Sequence, residues 1–88
     1  MGWFVYAIYN LTVEKIYIGQ TDNITRRLKE HNQKLGRHFT AKVIGEWVLL
    51  YKEECESRSR ALVREKELKS YQGRVFLKNL IHSPVAQR

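Results

Sequence analysis

Cysteine is almost missing from this 88-residue chain, and the one copy, Cys55, has no partner for an internal disulfide. No cysteines and histidines stand at zinc-finger spacing either, so an internal disulfide is excluded, a structural zinc site is not expected, and a reducing, cytoplasmic setting is favoured. Proline occurs once, at Pro84, and there is no internal repeat or low-complexity stretch. Long apolar runs are lacking: the opening segment from Gly2 to Leu11 is too short for a bilayer, carries no basic leader or cleavage site, and has Tyr6 where a myristoylation motif wants Ser or Thr. No membrane association is expected. Several catalytic signatures are absent too: no G-x-S-x-G turn, phosphate-binding P-loop, dinucleotide fingerprint or H-E-x-x-H zinc helix. A thiol mechanism is disfavoured because Cys55 stands in the acidic run Glu53-Glu54-Cys55-Glu56, whose field opposes a thiolate.

What is present suits one globular domain over residues 1–88, with a core from about residue 3 to 82 and a tail from 83 to 88. Apolar residues make up 43% of the chain, enough for a compact core. Acids are scarce relative to bases: nine Asp plus Glu against sixteen Lys plus Arg, a formal charge of +7. The excess is uneven. From His31 to Gly45 the chain carries His31, Lys34, Arg37, His38 and Lys42 but no acid, and none follows Glu67. A polyanion is the natural partner of such segments, although a solvated lysine-rich surface would read the same way from composition alone.

Aromatic and β-branched residues from Trp3 to Tyr9, a turn around Asn10 to Glu14, and renewed β character from Lys15 to Gly19 predict a hairpin. Both alternating faces of the first strand are apolar, so helices are expected on both sides of the sheet. Thr21 or Asp22 is placed to cap a helix running to about Leu35, with Gly36 as its exit. A polar, basic loop follows from Arg37 to Glu46. Trp47 to Lys52 reads as a third strand, Glu53 to Glu56 as an acidic turn, and Ser57 as the cap of a second helix reaching about Ser70. A turn is expected at Gln72–Gly73, and then Phe76, Leu77, Leu80 and Ile81 recur at helical spacing before Pro84 blocks continuation.

Helical projection separates neighbours of the first helix, since an α-helix turns about 100° per residue. Ile24, Leu28 and Leu35 form one stripe with His31 inside it; Arg27 lies roughly 60° from Ile24 and Arg26 roughly 160° away. Arg26 is expected in solvent. Arg27 and His31 face the sheet or its rim, where a carboxylate or a phosphate would have to offset the buried charge. In the second helix Ala61, Leu62 and Leu68 define the apolar side and Glu65 projects between the first two, while Glu67 points away. Glu65 there either pairs with a base, for which Arg27 is a candidate, or holds a hard cation. Tyr6 and Tyr17 lie in the hairpin strands, where ordinary cross-strand packing also explains them; Gly19 shares a face with Tyr17 and leaves a notch beside its hydroxyl.

Phe4-Val5-Tyr6, then Tyr17-Ile18-Gly19, then a helix carrying Arg27 and His31, then Glu65 within Ala61-Leu62-Val63-Arg64-Glu65 together resemble the GIY-YIG nuclease family. That family includes homing endonucleases, some restriction enzymes and the incision module of excision repair. Thr21-Asp22-Asn23-Ile24, Glu30-His31-Asn32 and Arg64 to Ser70 resemble its small, single-domain members more closely still. Phe4 replaces the first signature glycine; Asn79 is available for a late asparagine of larger relatives, a role left unassigned. The resemblance implies an α/β (α+β) fold, a three-stranded antiparallel sheet flanked by about three helices. It also implies a phosphodiesterase acting on nucleic acid, DNA above all, with Mg²⁺ or Mn²⁺ held by Glu65 and a phosphate met by Arg27. Tyr17 or Tyr6 would deprotonate the attacking water, its phenol pKa lowered by the metal or a basic neighbour, and His31 would orient or relay that proton. Gly19, Arg27, Lys34, Arg37, His38, Lys42, Lys69 and Arg74 would contact the nucleic acid, and Phe39 or Tyr71 would stack bases or belong to the core. One site cuts one strand, which suits a monomer or weak homodimer on a single-stranded or branched substrate. An inactive nucleic-acid-binding adaptor of the same fold is the competing reading.

Overall fold

The computed structural model describes residues 2–34 and 42–81. Its strands are β1 (Trp3–Asn10), β2 (Lys15–Thr21) and β3 (Trp47–Cys55); its helices are α1 (Ile24–Asn32), α2 (Arg58–Leu68) and α3 (Tyr71–Ile81). The sheet order is β2-β1-β3 and both pairings are antiparallel, so β1 is central. An α+β fold with a three-stranded antiparallel sheet and three helices results, as the sequence leads one to expect. The hairpin turn closes on Asn10, whose carboxamide oxygen accepts from Thr12 N (2.9 Å) and Val13 N (3.1 Å) while its carbonyl accepts from Glu14 N (2.8 Å).

Both faces of β1 are buried, for the reason its double apolar pattern suggested. On one face Val5, Ala7 and Ile18 meet Leu68 of α2 and Leu77 of α3. On the other, Tyr6, Ile8 and Trp47 meet Tyr17 together with Ile24 and Leu28 of α1. Full burial of Leu68 or Leu77 contributes roughly 1.5–3 kcal/mol each. The two layers separate the helices: α1 covers one side of the sheet, α2 and α3 the other.

Four local expectations need correction. The acidic turn at Glu53–Glu56 does not form there, because β3 runs on to Cys55, pairing Glu53 with Val5, Glu54 with Phe4 and Cys55 with Trp3. The strand tolerates its acids because Glu53 accepts the Tyr51 hydroxyl (2.5 Å) and pairs with Arg64 (3.0 Å). Neither Thr21 nor Asp22 caps α1. β2 extends to Thr21, and the cap is Asn23, whose side chain accepts from Arg26 N at 3.0 Å. Ser57 does cap α2. The turn expected at Gln72–Gly73 lies earlier, at Lys69–Ser70; Gly73 is inside α3, where a Cβ would stand 2.4 Å from the Leu68 carbonyl oxygen. That glycine lets α3 start hard against the end of α2. Finally, Leu62 is 47% exposed, since the stripe that meets the sheet runs through Ala61, Glu65 and Leu68. Leu35, Gly36 and Pro84 lie outside the described residues.

Candidate active site

Strand register makes the first contact of the site. Tyr6 stands opposite Gly19 and Ile8 opposite Tyr17, so the two tyrosines are diagonal neighbours on the face covered by α1, with ring centroids 6.5 Å apart. The notch expected beside the Tyr17 hydroxyl is filled by the Tyr6 phenol: a Cβ on Gly19 would lie 2.8 Å from the Tyr6 oxygen and 3.1 Å from the Tyr17 ring. Glycine is there because two rings and a strand share one space.

Helix α1 supplies the next groups, in the orientation its projection requires. His31 is 2% exposed; its ring lies 5.9 Å from that of Tyr6 and 5.1 Å from that of Tyr17. Its Nε2 is 2.7 Å from the Tyr6 hydroxyl. Arg26 points to solvent and pairs with Asp22 at 2.9 Å, whereas the Arg27 side chain is only 20% exposed. The carboxylate partner of Arg27 is Glu30 at 2.8 Å, three residues along the same helix, and not Glu65. Glu65, with a side chain 19% exposed, is paired with Lys69 at 2.7 Å.

The electrostatics tie these groups together. Burial pushes the Tyr6 phenol up to about 12; the Arg27 guanidinium, hydrogen-bonding to it, opposes that rise, and the Tyr17 and Glu65 groups add to it. Glu65 therefore acts on the same phenol that touches His31 and Arg27. Burial works against the charge of Arg27, but Glu30 and Tyr6 outweigh it and hold its pKa above the ordinary value. The Tyr6 hydroxyl and His31 Nε2 share one hydrogen bond, and the histidine tautomer sets which of them donates.

Of the residues expected to contact nucleic acid, Arg37 and His38 lie outside the described residues, as does Phe39. Gly19 is buried between the tyrosines; Lys42 is exposed. The Lys34 ammonium donates to the Gly45 carbonyl at 2.7 Å. Lys69 meets Glu65, Arg74 donates from Nε to the Lys69 carbonyl at 3.1 Å, and Tyr71 is 82% exposed.

Two residues escaped the sequence reading. Asn32 clasps Trp47 from both sides, Nδ2 donating to its carbonyl (2.9 Å) and Oδ1 accepting from its N–H (2.7 Å). Asn10, fully buried, donates to the Ile44 carbonyl at 2.9 Å. These amides join the hairpin and the end of α1 to the chain entering β3; only their place beside the motifs hinted at a role. Glu30 was signalled by its spacing from Arg27.

A profile of the GIY-YIG catalytic domain matches residues 2–79. A UPF0213 protein of Desulfotalea psychrophila is 40% identical over 69 residues, 77% of this chain and 61% of that protein. One from Haloquadratum walsbyi is 41% identical over 69 residues, covering 77% and 74%, and one from Staphylococcus aureus is 37% identical over 68 residues, covering 77% and 80%. The solution NMR structure of a UPF0213 protein from Bacillus halodurans superposes with a TM-score of 0.56 at 26% identity, over 98% of this chain and 92% of that one.

Proposed function

Since this chain belongs to the GIY-YIG catalytic-domain family, we propose that it is a nuclease that hydrolyses phosphodiester bonds in DNA, single-stranded or branched, with Mg²⁺ or Mn²⁺. The observation that carries the proposal is the meeting of two phenols, an imidazole and a guanidinium at one point, with the Glu65 carboxylate acting on the same phenol.

Glu65 suits a hard divalent cation. Its carboxylate is partly exposed, and among the described residues no three His, Cys, Asp or Glu side chains gather into a closed cage. A single protein carboxylate, completed by water and substrate phosphate oxygens, is how Mg²⁺ is commonly held. Such an ion supplies neutralisation of the charge that develops on the phosphate. Lys69 shares Glu65 and faces flanking phosphates beside it. Arg27, oriented by Glu30, donates to the phosphate oxygens and stabilises the developing negative charge.

The two tyrosines divide the remaining work by exposure. Tyr6 is 2% exposed, with a pKa pushed to about 12, so it is poorly placed to receive a proton from water and instead fixes His31 and Arg27. Tyr17 keeps part of its surface open and lies against the His31 ring. It is the phenol a water molecule reaches: as its oxygen takes the proton of that water, its own phenolic proton passes to the neighbouring His31 imidazole. Arg74, Lys34 and Lys42, with Arg37 and His38, hold the flanking backbone.

The test is incubation of single-stranded, duplex and branched DNA and RNA with the protein, in Mg²⁺ or EDTA. Cleavage that requires Mg²⁺ is expected. Glu65→Gln and Arg27→Ala should each lose about 100-fold or more of it, and Arg26→Ala far less. Binding without cleavage by wild type and Glu65→Gln alike would establish the adaptor instead, and equal losses at Arg26 and Arg27 would remove the basis for the Arg27 role.

A further inference from the structure

A cleft lies on the sheet face opposite Tyr6 and Tyr17, between the hairpin end and α3. Lys15, Arg74 and Lys78 line it together with Glu14, Tyr9 and Ile16. Ile16 packs into the core layer that holds Leu77, which fixes the floor of the cleft on the α3 side. Three cations face one carboxylate there, and the cleft is therefore positive.

This cleft is joined to the candidate site by a line of contacts. Glu65 pairs with Lys69, the Lys69 carbonyl accepts from Arg74 Nε, and Arg74 shares the cleft with Lys78 and Lys15. No acid occurs anywhere in α3. Tyr71 and Lys78, seven residues apart, fall on one outward face of this helix within roughly 20°, with Arg74 at its flank. The ring of Tyr71 is 82% exposed. An open aromatic followed by spaced cations matches the recognition of an unpaired strand, in which bases stack and phosphates are neutralised.

We propose that Tyr71, Arg74, Lys78 and Lys15 form a second nucleic-acid subsite that holds a single strand leading away from the scissile phosphate. Tyr71 stacks one base, and the three cations take successive phosphates along α3 towards the hairpin. The identity of the occupant rests on the nuclease reading; the positive, aromatic-headed track does not.

Binding is measured with the catalytic residue disabled, using Glu65→Gln protein in EDTA. Fluorescence anisotropy follows end-labelled single strands of DNA and RNA, about 20 nucleotides long, across a salt series. Lys78→Ala should lower the log–log salt slope by about 0.7, and Arg74→Ala with Lys78→Ala by about 1.4. Lys78 is solvent-exposed, so its single variant reports on binding without endangering the fold. Tyr71→Ala should weaken binding about tenfold and Tyr71→Phe should restore it. Whichever strand shows these changes more strongly names the sugar preferred.

Slope and affinity unchanged in the α3 variants, or no binding of either strand, would overturn the subsite. If the slopes fall as stated while wild type cuts nothing in Mg²⁺, the subsite stands and the nuclease reading fails. If wild type cuts and the α3 variants bind like their parent, the subsite alone is wrong.

Discussion

A phenol buried against an imidazole and a guanidinium is held by opposing forces, and Tyr6 shows which one wins. Desolvation is the largest effect on it and raises its pKa from 10.0 to about 12, even though Arg27 pulls the other way. Between those two values the unfolded chain has lost the proton that the folded chain keeps. The folded state then binds more protons, so its stability falls as pH rises through that window. Below pH 10 the contribution is fully present. In Tyr6→Phe the phenol is gone, so the stability gap between wild type and variant, measured by urea unfolding, should narrow above pH 10; a gap constant with pH would show that Tyr6 titrates normally. At this scale much was legible beforehand. The turn per residue of a helix separated Arg27 from Arg26 and put His31 inside, and side-chain exposures of 20% and 54% follow that division. The carboxylate was misjudged: Glu65 was offered to Arg27, although the i, i+3 spacing on α1 favours Glu30, which is the partner it has.

Two apolar layers hold the elements together, and a few amides and one close approach set how their ends meet. Asn32 ends α1 and grips the Trp47 backbone at the start of β3 with two hydrogen bonds, which sets where His31, one residue earlier, meets the tyrosines. Asn32→Ala leaves a buried N–H and C=O without their partner and should cost about 2–4 kcal/mol of unfolding free energy by urea titration. A change within about 0.5 kcal/mol would mean that the clasp holds nothing. Strand and helix identities could be read from pattern because each apolar face repeats with its own period. Boundaries failed where tertiary pairing overrode local preference. β3 continued through the turn-like acids Glu53 and Glu54 because β1 offered partners as far as Trp3, and Gly73 looked like a turn residue because nothing local reveals the Leu68 carbonyl pressed against it.

At the scale of the whole molecule, α1 sets His31 and Arg27 against the Tyr6 phenol on one side of the sheet, Tyr17 of the hairpin lies beside them, and Glu65 of α2 acts electrostatically on that same phenol. The net charge of +7 and the acid-free stretches of the sequence favour a polyanionic partner. The central claim is that these separate segments work as one catalytic unit, and groups that act as a unit lose activity non-additively. The direct measurement is single-turnover cleavage by Arg27→Ala, by Glu65→Gln and by the double variant. We expect each single change to cost about 100-fold or more, and the double to be no slower than the worse single. Losses that multiply in the double variant, or a wild-type protein that cleaves nothing, would contradict the account.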